Sequence, residues 1–202
     1  PEDSFDTADL PRDMYDRLNR AAAQVAPGSE GVLFLPWFNG SLAPSEDPLV
    51  RGGFLNLSNR TKRSHLARAV LEGIAFNWRW LAEAAEAFTK HKFPYWRLTG
   101  GGSLSDVWAQ IMADVIGIPM HQQADPRNNN VLGVAFLAFN RLGMLSLDEV
   151  PKKITTARIY QPQKENQAIY DHMYQQFRAS YKRTQPIFHG LNKLSMHKQV
   201  SD

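Results

Sequence analysis

The residues best suited to chemistry are three consecutive glycines, Gly100-Gly101-Gly102, which stand between a short apolar and aromatic stretch and a helical pattern. Glycine has no Cβ atom, so the backbone there can approach a ligand closely. The helix that follows offers unpaired N–H groups and a positive dipole end, which suit a phosphate or a nucleotide. A glycine turn can equally end a strand for geometric reasons alone. The turn matches neither GxxxxGKS/T nor GxGxxG, so a nucleotide site here would belong to another fold.

The composition fits one globular domain, or one domain with a small appendage. The chain has 202 residues, 43% of them hydrophobic, and 23 basic against 20 acidic residues. This small charge excess does not indicate nucleic-acid binding. No apolar stretch reaches the roughly 18 residues of a membrane-spanning helix, and no signal peptide pattern is present. The lack of cysteine suits a reducing compartment, so we expect a cytoplasmic protein without membrane partners.

The elements before the turn follow from periodicity and from punctuating residues. Residues 7–25 predict an amphipathic helix, with Asp9 as the candidate N-cap and Pro11 in the first turn. Residues 31–35 predict a buried strand. Residues 36–53 are rich in Pro and Gly and predict a long loop, and loops of this length in a compact domain are often functional.

A long helix is expected next, capped at Asn59 or Thr61 and apolar on one stripe as far as Phe88. Phe76 and Trp80 lie off that stripe, so the helix must bury a second face. Either the chain's own C-terminal helix or another subunit or domain covers that face. We favour the first alternative.

The elements after the turn begin with a helix from about residue 105. The sequence then predicts a strand at 118–121, a polar loop at 125–130, a short buried helix at 131–139, an extended segment at 158–160, an amphipathic helix at 165–183 and a loose tail from Leu191.

A series of short motifs follows in a fixed order along the chain. The motifs are GVLFLP at 31–36, NGSLAP at 39–44, DP at 47–48, RGGFLNL at 51–57, HLARAVLEG at 65–73, LTGGG at 98–102, the spacing of Trp108, Gln110, Ala113 and Asp114, and LGVA at 132–135. Each motif alone is weak, but the ordered set with its spacings is specific. This set resembles the C-terminal half of an FGGY-family carbohydrate kinase, of the xylulokinase-like kind.

The resemblance implies an α/β fold of the ribonuclease H-like type, shared with actin, Hsp70 and hexokinase. Each lobe of that fold is a mixed sheet flanked by helices, and ATP with Mg²⁺ lies in the cleft between two lobes. Residues 1–190 would form the C-terminal, nucleotide-side lobe, and 191–202 the tail. Because the chain opens on Pro1 without an initiator Met, we expect it to be part of a longer polypeptide whose N-terminal lobe binds the sugar.

The same resemblance implies a nucleotide site on the glycine turn. Gly101 and Gly102 would contact the α-phosphate and ribose through their backbone, and Gly100 would shape the turn. Ser105 would stand near the adenine base. These roles agree with the properties of the turn itself, where backbone donors and absent Cβ atoms suit a phosphate.

Two positions depart from the family pattern. Asn56 stands where the family has glycine, but Asn tolerates a positive φ better than most residues. Residues 128–130 are three asparagines where the family has a carboxylate or small residues, which leaves the contacts of that loop open. The family's catalytic aspartate and its glycine-threonine phosphate hairpin precede the matched region. We therefore expect this chain alone to be inactive.

No residue of this chain is assigned to catalysis or to a metal. Four aspartates, Asp47, Asp106, Asp114 and Asp125, lie in or near the motifs. Three of them have a simpler structural explanation: Asp47 suits a turn, Asp106 the start of a helix, and Asp114 a local cap or pair. The six histidines show no metal-ligand spacing.

Two functions remain open. The first is the nucleotide-side lobe of an ATP-dependent sugar kinase, with xylulose or a related ketose as the expected acceptor. The second is a non-catalytic nucleotide-binding or dimerisation module that retains the kinase fold. A homodimer is compatible with both.

Overall fold

A computed structural model describes the backbone of residues 13–199 and the side chains of residues 13–193. The helices are α1 (Met14–Ala23), α2 (Arg63–Thr89), α3 (Asp106–Ile116), α4 (Asn129–Arg141), α5 (Val150–Lys153) and α6 (Lys164–Gln199). The strands are β1 (Leu33–Leu35), β2 (Gly53–Leu55), β3 (Trp96–Leu98), β4 (Met120–Gln123) and β5 (Thr156–Tyr160). None of the described helices is long and apolar enough to cross a membrane.

The strands form two small sheets. β1 and β2 pair antiparallel, with Phe34 opposite Phe54. β3 pairs parallel with β4, and β4 pairs antiparallel with β5, which gives a mixed sheet in the order β3-β4-β5. Helix α3 forms the crossover between β3 and β4, as a parallel pair requires. The mixed sheet and its flanking helices confirm the predicted α/β class.

The second face of helix α2 is covered by helix α6 of the same chain. The ring of Phe76, which is 1% exposed, lies 5.8 Å from that of Phe177 and 6.2 Å from that of Tyr170, measured between centroids. Trp80 packs edge-on against Tyr181 at 4.9 Å. The off-stripe aromatics therefore pack within the chain, which confirms the alternative that the sequence favoured.

The observed ends of the first two long helices differ from the predicted ones. Helix α1 lies inside the predicted span of 7–25, whose Asp9 and Pro11 fall outside the described residues. The N-cap of α2 is Lys62, not Asn59 or Thr61. The Thr61 hydroxyl is already used, because it accepts a 3.0 Å hydrogen bond from the Ser58 N–H in the preceding turn.

Helix α4 is exposed, so the prediction of a short buried helix at 131–139 is wrong. No residue of α4 is buried, and Val131, Val134 and Leu137 are 71%, 67% and 62% exposed. The run of apolar residues shows that burial of this helix would be favourable. Periodicity carries no information about which surface would provide that burial.

Helix α6 is longer than the sequence indicated. It continues through Pro186 and Gly190 as far as Gln199, so the backbone of residues 191–199 is helical where a loose tail was predicted. One contact that sequence periodicity cannot show holds this end, since the Asn192 amide donates to the carbonyl of Leu49 at 2.9 Å. The division of the chain at residue 190 stays a prediction.

Candidate functional site

The glycine turn connects the end of β3 to the start of α3. Gly100 has a φ of +82°, and residues Gly101–Leu104 form a single 3₁₀ turn. The N–H of Gly100 donates to the carbonyl of Pro126 at 2.7 Å. The Ser103 hydroxyl donates to the carbonyl of Gly100 at 2.7 Å, and Ser103 is buried. These hydrogen bonds fix the turn on the side that faces the protein, while its other side stays exposed.

The three glycines differ in what their position demands. Gly100 needs its positive φ, which side chains with a Cβ rarely adopt. Gly102 is required by packing, because a Cβ there would overlap the ring of Trp108. A Cβ on Gly101 would meet no atom within 4 Å, and Gly101 needs no positive φ. Neither the backbone conformation nor the packing of the chain requires glycine at this position, as is also the case at Gly53 and Gly133.

Helix α3 begins directly after the turn and is capped by Ser105. The Ser105 hydroxyl accepts a hydrogen bond from the Trp108 N–H at 3.1 Å and donates one to Asn19 Oδ1 at 2.9 Å. Asn19 lies on α1, so the predicted site residue connects two helices. Sequence reasoning missed Asn19, since a polar residue on an amphipathic helix carries no signal for a contact 86 positions away.

The loop before α4 packs beneath the glycine turn. Pro126 O accepts a second hydrogen bond, from the Thr99 hydroxyl at 3.2 Å, and the Asn129 amide donates to that same hydroxyl. Asn128 instead bonds Asp125 within its own loop at 2.8 Å. Of the asparagines that depart from the family pattern, Asn129 thus contacts the residue before the turn, and Asn128 is bonded within its own loop.

Asp106 is paired and exposed. Its carboxylate accepts from Arg158 at 2.9 Å and from the Tyr160 hydroxyl at 2.5 Å, and its side chain is 62% exposed. Burial, together with the hydrogen bond to this carboxylate and its charge, raises the pKa of Tyr160 to about 12. Asp106 therefore connects the start of α3 to β5.

Asp114 is buried and structural. Its two oxygens accept from the Gln110 amide, the Gln163 N–H and the Asn166 amide, each at 2.8 Å. The expected local pairing is present in Gln110, and the other two partners fix the start of α6. A cleft of about 530 Å³ adjoins this cluster, between α1, α3 and α6, and is separate from the glycine turn.

Asp47 fixes the long loop to helix α6. It accepts from the Leu49 N–H at 3.0 Å, as the predicted turn requires, and also from Gln185 at 2.6 Å and from His189 at 2.7 Å. Burial acts to raise the pKa of Asp47, but these hydrogen bonds outweigh it and hold the pKa below its ordinary value. Across the described residues, no three metal-ligating side chains come together.

Comparison with known proteins identifies the family of this chain. Residues 3–141 match the model of the FGGY family of carbohydrate kinases, C-terminal domain. The chain is 33% identical over 180 residues to a xylulose kinase of Lactococcus lactis, a match that covers 88% of this chain and 36% of that protein. It is 29% identical over 197 residues to a gluconokinase of Bacillus subtilis, a match that covers 94% of this chain and 35% of that protein.

The crystal structure of xylulose kinase from Rhodospirillum rubrum superimposes with a TM-score of 0.75 at 31% identity, over 90% of this chain and 36% of that one. The likeness confirms the ribonuclease H-like fold that actin, Hsp70 and the sugar kinases share. The chain thus spans little more than a third of the length of these relatives. By its family match, its sequence relatives and its fold, the chain belongs to the FGGY family of carbohydrate kinases and corresponds to the C-terminal domain of that family.

Proposed function

We propose that the intact protein is an ATP-dependent carbohydrate kinase, of which this chain is the nucleotide-side lobe. The protein transfers the γ-phosphate of ATP to a sugar hydroxyl. The observation that carries this proposal is Gly101, whose missing side chain leaves open space at the turn that the family uses for nucleotide. A site built from backbone N–H groups needs this clearance.

The roles of the turn residues are those that the family resemblance implies, and their contacts are compatible with them. Gly100 sets the shape of the turn, and the N–H groups of Gly101 and Gly102 hold the α-phosphate and ribose. Ser105 lies at the base end, where it caps α3. ATP supplies the phosphoryl group, and Mg²⁺ arrives with the nucleotide. The chain's own contribution is to bind and orient the nucleotide, which is a large part of catalysis in phosphoryl transfer.

Xylulose, or a related ketose, is the acceptor that we propose. Xylulose kinases are among the proteins that the chain resembles both in sequence and in structure. Gluconokinases and glycerol kinases are also among its relatives. The sugar contacts would come from the N-terminal lobe. Without that lobe and its catalytic base, this chain binds ATP or ADP at most and transfers no phosphate. We propose a cytoplasmic location, with no nucleic-acid or membrane partner.

A second candidate function is a non-catalytic nucleotide-binding or dimerisation module. The exposed apolar surface of helix α4 favours it, because a contiguous apolar patch is typical of a surface that another protein covers. A homodimer is the assembly that this alternative needs.

The deciding experiment measures ADP release by the full-length protein over a panel of ketoses, aldonates and polyols. Release with one of them supports the kinase proposal, and release with none contradicts it. Calorimetric titration of this chain and of the full-length protein with ATP and ADP in magnesium then locates the nucleotide. Binding by the chain places recognition on its turn, and binding by the full-length protein alone means that both lobes are needed.

A further inference from the structure

The one proton of the Ser105 hydroxyl is already used within the protein. A serine hydroxyl has one proton to donate, and that of Ser105 goes to Asn19 Oδ1 at 2.9 Å. The oxygen also accepts from the Trp108 N–H, which caps α3. Ser105 therefore lies at the base end of the turn without a proton for the base.

Asn19 has the donor that Ser105 lacks. Its Oδ1 is held by the Ser105 hydroxyl, which directs the amide nitrogen Nδ2 away from that contact. Within the part of the chain that the structure describes, Nδ2 donates to no protein acceptor, and Asn19 is half-buried. A side-chain amide fixed at one end and unused at the other is a preorganised donor, and fixing it costs nothing further on binding.

Exposed apolar side chains stand next to Asn19 and Ser105 along the chain. Leu18 precedes Asn19 and is 47% exposed, and Tyr15, one helical turn before Asn19, is 81% exposed. Leu104 precedes Ser105 and is 45% exposed. Side chains of this kind are available to contact the face of a ring whose edge accepts a hydrogen bond.

We propose that Asn19 recognises the nucleotide base, with Oδ1 holding Ser105 in place and Nδ2 donating to a ring nitrogen of adenine. This inference rests on the proposed nucleotide site and assigns to it a determinant that lies on α1. Adenine fits because N1, N3 and N7 of its rings are hydrogen-bond acceptors. In the site so formed, Gly101 provides clearance for the phosphates, and Asn19 contacts the base.

The test compares three forms of the full-length protein: wild type, Asn19→Leu and Ser105→Ala. Their dissociation constants are measured by calorimetry for ADP and for its 1-deaza, 3-deaza and 7-deaza analogues, each of which lacks one ring nitrogen. In the wild type, one analogue should bind roughly 10-fold more weakly than ADP. Asn19→Leu should bind ADP with a similar loss and should no longer distinguish that analogue from ADP.

If Asn19 had a merely structural role, Asn19→Leu would lower the affinity for all four ligands alike. The analogue would then lose the same affinity relative to ADP in Asn19→Leu as in wild type, and that result would overturn the inference. A larger loss of the analogue preference in Ser105→Ala than in Asn19→Leu would also overturn it, since Ser105 would then be the base donor. Asn19→Asp is a second variant that keeps the acceptor for Ser105, so the cap of α3 remains while the donor is lost. It should fold and show the same loss of preference.

Failure of the underlying proposal is distinguishable, because wild-type protein would then bind neither ADP nor any analogue.

Discussion

Arg68 and Glu72 form a buried ion pair on one turn of helix α2, with 2.7 Å between Arg68 Nε and Glu72 Oε1. Glu72 also accepts from the Gly28 N–H at 3.0 Å, from the Ser29 hydroxyl at 2.7 Å and from the Tyr170 hydroxyl at 3.0 Å. Arg68 donates in addition to Tyr170 at 2.8 Å. Burial raises the pKa of Tyr170, which keeps its hydroxyl protonated as the donor that this network needs.

Removing one partner of this pair should be strongly destabilising. Glu72→Leu leaves the Arg68 guanidinium buried and unpaired, and we expect the free energy of unfolding to fall by about 3–5 kcal/mol. Arg68→Leu combined with Glu72→Leu should lose less than the single variant, because no buried charge then remains. Urea denaturation of the three proteins measures both differences. A loss below about 1 kcal/mol in Glu72→Leu would show that the network is not coupled as described.

Substitutions of Gly101 and Gly102 should affect different properties, ligand affinity for Gly101 and stability for Gly102. Gly101→Val should weaken ADP binding by the full-length protein at least roughly 10-fold and leave its melting temperature nearly unchanged, since the side chain projects into ligand space. Gly102→Ala is the matched control. It should cost about 1–3 kcal/mol of stability, because its Cβ meets Trp108. Unchanged ADP affinity in Gly101→Val would remove the site from this turn.

Asp47 should contribute stability that depends on pH. Its pKa is lowered in the folded state, so its contribution is fully present above the unfolded value of about 3.8 and is lost as the pH falls through the lower, folded value. Asp47→Asn should be less stable than wild type at pH 7 by on the order of 1–3 kcal/mol. The difference should shrink below pH of about 3.8. Denaturation curves at several pH values test this, and a difference that grows with acid would contradict the assignment.

The exposed face of α4 should affect association more than folding. Val134→Ser and Leu137→Ser remove apolar surface that is already in water, so the free energy of unfolding of this chain should change by about 0.5 kcal/mol or less. Sedimentation velocity should show less self-association than in the unaltered chain. Phe76→Ala is the control, because it empties a buried position and should cost about 3–5 kcal/mol. Equal destabilisation by all three substitutions would show that α4 is packed in solution.

The sequence predicted those elements whose signals are local. The strand, glycine turn and helix around Gly101 follow from glycine geometry and apolar periodicity, and Phe76 correctly indicated a second buried face on α2. The exposure of α4 was not predictable, because an apolar run shows that burial is favoured and not where it occurs. The contact between Asn19 and Ser105 was missed for a related reason: it depends on how two distant helices pack, which neither local segment encodes.

Helix α6 also determines when the molecule can fold. Its Tyr170 is 98 residues from Glu72, and its Tyr181 is 136 residues from Ser45, to which it is hydrogen-bonded. Contacts of such separation pay their loop-closure entropy before they stabilise anything. During synthesis, the segment from α1 to β3 leaves the ribosome before α6 does. In that segment the face of α2 that carries Phe76 is still exposed to solvent. Completion of the core has to wait until α6 emerges, and chaperones that bind apolar surface have that interval in which to act.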